Sequence, residues 1–415
     1  MPSKLIKISA TLNKLFNALV YRFWSYLYLL YRPYVTYKAK KIRKKNKIRV
    51  LFILAELGSW KTEALFKAML KHPRFEAILG VTTSQEVPGS KQPLIDYIKS
   101  KGYDYIDLDN GKNVIEQINP DIKFYYKPYS GSYPISIGFK KHLRSLTCHI
   151  HYAFNTGSDF WAFGHLVCKY SWFVFLENEA VYKTRLSVKK IYHGNVAITG
   201  YPMQDQLCAS KTNYANPWKS CGEKKKIIYA PHHSFPGTNG IGIEYATFLV
   251  FGEFLLKMAE KYKDSVQWAF KPHPTLYPKL IKKWGKQKTD QYYKTWESLE
   301  NTQIELGEYA GLFKHSDAMI HDCSSFTVEY MFSQNPVLFL QLDAKQTDRQ
   351  GEFGHEAFLA HYLASSESAI ESFIKNVIAE TDPLREKRIS YYNKYLLPPN
   401  NKSACDNIIS KILND

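Results

Sequence analysis

A chain of 415 residues, 45% apolar and 23% charged, has the length of two to three domains and a composition that excludes general disorder. Its six cysteines (Cys148, Cys168, Cys208, Cys221, Cys323 and Cys405) form no C-x-x-C pair, which excludes a disulfide scaffold and a zinc ribbon and points to a reducing compartment. The formal net charge of +18 is uneven: residues 1–49 hold 13 Lys and Arg, no acid precedes Glu56, and the remaining +5 gives the body no need of a polyanion.

At the N-terminus Leu5, Ile8, Leu12, Leu15, Phe16 and Leu19 recur at helical spacing, with Lys4, Lys7 and Lys14 largely on other faces. Residues 21–31 follow, dense in Tyr, Phe, Trp and Leu, side chains that favour the boundary between headgroups and acyl chains. A basic cluster comes next: Lys38, Lys40, Lys41, Arg43, Lys44, Lys45, Lys47 and Arg49. The uncharged stretch between Arg22 and Arg32 is nine residues, against about 20 needed to span a bilayer, and no secretory cleavage site is evident. Residues 1–47 therefore read as an amphipathic, aromatic-anchored helix on an anionic membrane surface, each nearby cation adding about 1 kcal/mol. This places the protein peripherally on the cytoplasmic face of the membrane. A domain-packing helix with a basic linker and a nucleic-acid arm are the alternatives; the absence of acids and the aromatic density favour the membrane, and nucleic acid is not an expected partner.

In the body, strands are predicted at Ile48–Leu54, Phe75–Val81, Tyr105–Leu108 and Ile122–Tyr126, with helices over Lys61–Leu70 and Lys91–Lys101. Ile198 ends a further strand at the turn Gly200-Tyr201-Pro202. After a mixed polar stretch the alternation restarts, with strands at Lys226–Ala230, Val266–Phe270, Ala318–His321 and Val337–Leu340 and helices over Tyr245–Tyr262 and about Phe326–Ser333. Alternating strands and helices give parallel sheets covered on both faces, so the fold class is α/β: two doubly wound, Rossmann-like domains facing across a cleft. The predicted parts are the basic segment 1–47, an N-terminal Rossmann-like domain 48–210, a linker 211–225, a second Rossmann-like domain 226–385 and a C-terminal helical piece 386–415 able to cross back.

Such sheets bind ligands beyond their strand C-terminal ends, and the candidate chemistry falls there. Tyr229-Ala230-Pro231-His232-His233 follows one strand, Lys271-Pro272-His273-Pro274 the next, and Asp322-Cys323-Ser324-Ser325 a third. Serines at a helix start cap free amides, and the same groups suit a phosphate. No G-x-x-x-x-G-K-[ST], G-x-G-x-x-G or H-E-x-x-H occurs, which disfavours a P-loop kinase, a standard NAD site and a zinc protease; no metal-ligand cluster and no cofactor are expected.

The ordered set Gly200-Tyr201-Pro202, Tyr229-Ala230-Pro231, Lys271-Pro272-His273-Pro274 and Asp322-Cys323-Ser324-Ser325 resembles the CDP-glycerol glycerophosphotransferase family, the teichoic-acid and capsule polymerases and primases of GT-B fold. Its pattern has Gly-Tyr-Pro, Tyr-Ala-Pro-Thr-Trp-Arg, Arg-x-His-Pro, Asp-Tyr-Ser-Ser with an acid, and a Lys-Pro-hydrophobic strand. This chain offers Glu329 as the acid and Asn335-Pro336-Val337 for the strand; it departs with Lys271 for Arg and His232-His233 for Thr-Trp. The family's His-Gly-Thr is matched by His151-Tyr152-Ala153, with His149 as a rival. The resemblance implies transfer of an alditol phosphate, glycerol before ribitol, from a CDP-alcohol to a lipid-linked or polymeric acceptor, with release of CMP. It implies that domain 48–210 takes the acceptor and domain 226–385 the nucleotide donor, with His151 and His273 as catalytic residues. Tyr229, Pro231, His232, His233, Lys271, Ser324, Ser325 and Glu329 would bind substrate: Lys271 and His273 the diphosphate charge, Ser324 and Ser325 phosphate oxygens, Glu329 the ribose hydroxyls. A GT-B glycosyltransferase using a nucleotide sugar, and a catalytically silent membrane scaffold, are the alternative readings.

Overall fold

The computed structural model describes residues 2–129, 131–158, 163–188, 191–219, 222–235, 244, 246–343 and 350–414, with side chains from residue 19 onward. Cys221, Tyr245 and the side chains of Leu5, Ile8, Leu12, Leu15 and Phe16 lie outside the described set. The chain divides into two compact units, residues 1–153, 159–202 and 402–415 in the first and 154–158 and 203–401 in the second.

The first unit is built on strands β1 (Ile48–Leu54), β2 (Phe75–Val81), β3 (Tyr105–Asp107), β4 (Ile122–Tyr125), β5 (Leu146–Ile150), β6 (Phe173–Leu176) and β7 (Val196–Ile198). They form one sheet in the order β3-β2-β1-β4-β5-β6-β7, every pair parallel. Because β1 is covered on both faces, it is an almost unbroken apolar run instead of an alternating one. Chain direction across the sheet reverses between β1 and β4, the usual place for a polar site. The C-terminal helix Ala404–Asn414 belongs to this unit: Asn407 Nδ2 donates to Thr199 O at 3.2 Å.

The N-terminal helix runs unbroken from Pro2 to Arg43 and presents two opposite faces. Tyr28, Val35, Ala39 and Ile42 follow a 3.6-residue period and are buried. On the same side Tyr31 and Tyr34 hydroxyls donate to Leu143 O and Arg144 O, Tyr170 OH donates to Trp24 O at 2.6 Å, and Tyr28 packs on Tyr170 and Tyr192. Half a turn away Leu19, Phe23, Tyr26, Leu29, Leu30 and Tyr37 are exposed, Leu30 at 77%. The segment expected to stand apart as a membrane anchor is thus a structural helix of the first unit; of the tyrosines that read as interfacial anchors, Tyr28 and Tyr31 pack inward and Tyr26 is exposed.

The second unit has strands β8 (Lys225–Ala230), β9 (Val266–Phe270), β10 (Thr302–Ile304), β11 (Ala318–His321), β12 (Val337–Leu340) and β13 (Tyr362–Ala364). The order is β10-β9-β8-β11-β12-β13, again all parallel, with the reversal between β8 and β11. Its core is aromatic: Phe270 stacks on Trp296 with centroids 5.0 Å apart, and Trp268, Phe248 and Tyr292 close around them. The helix predicted over Phe326–Ser333 is one α-turn, Phe326–Glu329, tightening into a 3₁₀ turn, Tyr330–Ser333.

Candidate active site

In the second unit the two loops that leave β8 and β9 are laced together by backbone hydrogen bonds that prolong the sheet: Lys271 N donates to Tyr229 O at 2.8 Å and His273 N to Pro231 O at 3.1 Å. From the neighbouring β11, Asp322 reaches across the reversal point. Its fully buried carboxylate accepts from His232 N, from Thr247 N at 2.6 Å and from Thr247 Oγ1 at 2.9 Å. Burial pushes the Asp322 carboxyl up to about 6, and these donors oppose the rise.

Pinned this way, His232, His233 and His273 gather into one cluster. Ring centroids lie 4.4 Å apart for His232 and His233, 4.0 Å for His233 and His273, and 5.2 Å for His232 and His273. Each Nδ1 is engaged: by Ser234 Oγ at 2.7 Å in His232, by Lys279 Nζ at 2.8 Å in His233, and by Thr275 Oγ1 at 2.9 Å in His273. Burial and the neighbouring cations push His232 down to about 3 and His233 down to about 4, so both rings are neutral at pH 7. Lys271, almost buried, donates to Gly307 O at 2.9 Å with its ammonium 5.5 Å from the Tyr309 ring centre. Ser324 and Ser325, half-buried, follow β11. The edge is cationic and rich in donors.

Three expectations need correcting. Tyr229 does not offer its side chain to a ligand: the ring is fully buried against Phe270 and Trp296, and only its backbone belongs to the site. Glu329 is fully buried and accepts from the Tyr309 hydroxyl, so it holds Tyr309 in place instead of facing a ribose. The expected absence of a metal-ligand cluster also fails, since one ligand nitrogen from each of His232, His233 and His273 lies within 4.8 Å of the others. Pro231 is buried and contributes its carbonyl to His273.

In the first unit, β5 carries His149 in its core, with Nδ1 donating to Tyr125 O at 2.9 Å and burial holding its pKa well below the usual histidine range. His151, just past the strand end, is half-buried. Its 2.9 Å bond to Ala153 O places the proton on Nδ1 and the lone pair on Nε2, and burial pushes its pKa down to about 4. Gly200 takes φ +82°, a left-handed conformation that favours glycine, and the turn lets Tyr201 OH donate to His151 O at 2.9 Å. Across the β1–β4 reversal, Lys127 Nζ meets Glu56 at 2.8 Å and Glu86 at 2.6 Å, and Ser132 Oγ donates to Glu86 at 2.6 Å.

Sequence reasoning overlooked Asp322 as the tie between loops, Lys279, Tyr309, and the Glu56–Lys127–Glu86 group. Glu56 and Lys127 follow apolar strands by two residues each, and that placement was signal enough.

The two parallel sheets define an α/β fold of the GT-B type, which the chain shares with several solved structures. The wall teichoic acid polymerase TagF, as a variant soaked with CDPG, matches with a TM-score of 0.61 and 15% identity over 95% of this chain and 98% of that one. The UDP-GlcNAc 2-epimerase of Neisseria meningitidis bound to UDP-GlcNAc matches with a TM-score of 0.58 and 16% identity over 89% and 100%. S. aureus MnaA with UDP gives 0.57 and 17% over 88% and 96%. At these identities the likeness is one of fold. No curated protein sequence is significantly similar. The family model described as CDP-Glycerol:Poly(glycerophosphate) glycerophosphotransferase matches residues 168–414, more than half of the chain, so the protein belongs to that family and is a glycerophosphotransferase-like enzyme.

Proposed function

We propose that the protein transfers an alditol phosphate, glycerol phosphate before ribitol phosphate, from a CDP-alcohol to a lipid-linked or polymeric acceptor in teichoic-acid or capsule synthesis. The observation that carries this reading is the gathering of His232, His233, His273 and Lys279 past β8 and β9, with Lys271 and Ser324-Ser325 at adjoining strand ends. A diphosphate needs cations and N–H donors in just such a partly dehydrated setting. The acceptor hydroxyl oxygen attacks the phosphorus distal to the nucleoside; the new O–P bond forms as the P–O bond to CMP breaks, and CMP leaves with that electron pair. The hydroxyl proton goes to His151 Nε2, since a neutral imidazole with its proton held on Nδ1 is the form that acts as a base. His273 and Lys271 offset charge building on the phosphates.

Membrane attachment belongs to the same proposal. The outward stripe from Leu19 to Tyr37, with Lys40, Lys41, Lys44 and Lys47 exposed beside it, suits an anionic bilayer surface at the cytoplasmic face. Among the described residues no helix is long and apolar enough to cross a membrane.

A donor panel of CDP-glycerol, CDP-ribitol and UDP-sugars tests the chemistry: CMP release from CDP-glycerol is expected, and UDP release in its place overturns it. His273→Ala and the joint Ser324→Ala, Ser325→Ala change should each lower turnover at least about tenfold, 1.4 kcal/mol of transition-state stabilisation. His151→Ala should abolish most turnover with donor binding nearly intact, because a base acts in the transition state. His149→Ala should register in stability more than in kcat.

A further inference from the structure

We propose that His232, His233 and His273 form a binding site for a divalent transition-metal ion of the zinc type. One ligand nitrogen from each ring lies within 4.8 Å of the other two. Tetrahedral zinc with bonds of about 2.0–2.1 Å needs nitrogens about 3.3 Å apart, so the rings must close by an ångström or so, within reach of two side-chain torsions each. The backbone beneath them is already fixed, by Asp322 at His232 and by Pro231 O at His273.

The surrounding hydroxyls match what ligating histidines require. At His232 and His273 the Nδ1 atoms accept backbone N–H groups, Ser234 N at 3.3 Å and Thr275 N at 3.2 Å, so ligation through Nε2 requires the ring proton to move to Nδ1, where Ser234 Oγ and Thr275 Oγ1 lie close enough to accept it. Three imidazoles with an open fourth position is the ligand set of reactive rather than structural zinc. Nitrogen ligands without a carboxylate select Zn²⁺, Co²⁺, Ni²⁺ or Cu²⁺ over Mg²⁺ and Ca²⁺.

Lys279 shapes the prediction. Its ammonium donates to Nδ1 of His233 at 2.8 Å, whereas a ring ligating through Nε2 carries its own proton on Nδ1. Lys279 must therefore turn away when the ion enters, and its charge opposes entry. A plain anion site behaves the other way, because there Lys279 contributes attraction.

The experiment uses the untagged full chain, stripped with a chelator and titrated with Co²⁺ and, in competition, Zn²⁺. One equivalent of Co²⁺ should produce visible absorption bands of nitrogen ligation, displaced by Zn²⁺. His232→Ala and His233→Ala should each weaken binding at least tenfold, with circular dichroism and melting confirming that the variants are folded. Lys279→Met should tighten Co²⁺ binding. Absence of the bands at one equivalent, unchanged affinity in folded His variants, or weaker binding in Lys279→Met overturns the site. The readout is spectroscopic and needs no nucleotide, so its success or failure is independent of whether the transferase reading holds.

Discussion

Asp322 shows how much of the site depends on one side chain that meets no solvent. It answers three donors from the two ends of the connection between β8 and the helix Phe248–Lys261, and the position of His232 follows from it. Asp322→Ala leaves those donors buried and unanswered, at a cost of about 1–3 kcal/mol for even one, so a denaturant melt should show a loss of that size or more. The motif that contains Asp322 was legible, since Asp-x-Ser-Ser at a strand end is unusual; its role was not, because a carboxylate beside two serines reads as part of a ligand shell. Tyr229 failed for a related reason. In a parallel strand buried on both faces, period-two alternation no longer says which side chain faces a ligand, so the ring in Tyr-Ala-Pro could be assigned to either side. The histidine cluster lay beyond single-sequence reach in another way: His233 and Lys279 are 46 positions apart and meet only because the β8 and β9 loops are laced together.

Among the elements, the long apolar runs of β1, β2, β9, β11 and β12 were recoverable to the residue. β5 was not, since Leu-Thr-Cys-His-Ile mixes polar and apolar groups that are all buried, and three-residue strands such as β10 and β13 carry too little pattern. The N-terminal helix is the most informative case, because its sequence supports both a membrane face and a packed face, and the structure packs one face and leaves the other exposed. The two faces should separate experimentally. Tyr26→Glu with Leu30→Glu should lower binding to vesicles rich in anionic lipid while the melting temperature stays put. Ile42→Ala, on the packed side, should cost about 2–5 kcal/mol in a denaturant melt and leave vesicle affinity unchanged. A cut at residue 47 should therefore destabilise the first unit, since it removes the core side chains Tyr28, Val35, Ala39 and Ile42.

For the molecule as a whole, buried histidines set the response to acid. Burial holds His149 and His321 well below the ordinary histidine value and His361 down to about 4. Each folded pKa lies below the unfolded value of about 6.5, so the stability they contribute is fully present above pH 6.5 and is lost as pH falls toward the folded values. Asp322, raised to about 6, works in the opposite sense: its share is present at acid pH and fades as pH rises through 6. Three groups outweigh one, so the melting temperature should drop steadily between pH 6.5 and 4. A flat profile over that interval would contradict neutral burial of these rings.

The short passage from helix to sheet has a mechanical meaning. Arg43 ends the helix, Ile48 begins β1, and the turn between them is clamped by Asp121, which takes Lys45 Nζ at 2.6 Å and Arg49 N at 3.1 Å. β1 is the strand flanked by β2 and β4, so whatever the helix rests on is coupled stiffly to the middle of the sheet. A protein held this way is mounted like a bracket instead of tethered like a buoy. If the proposed bilayer attachment holds, the helix fixes the tilt and height of the edge bearing His151, and such a mounting suits an acceptor that emerges from the lipid at a set distance. Inserting a flexible Gly-Ser stretch between Lys44 and Lys47 should leave vesicle binding and turnover with a soluble acceptor intact, and depress turnover with a lipid-embedded one.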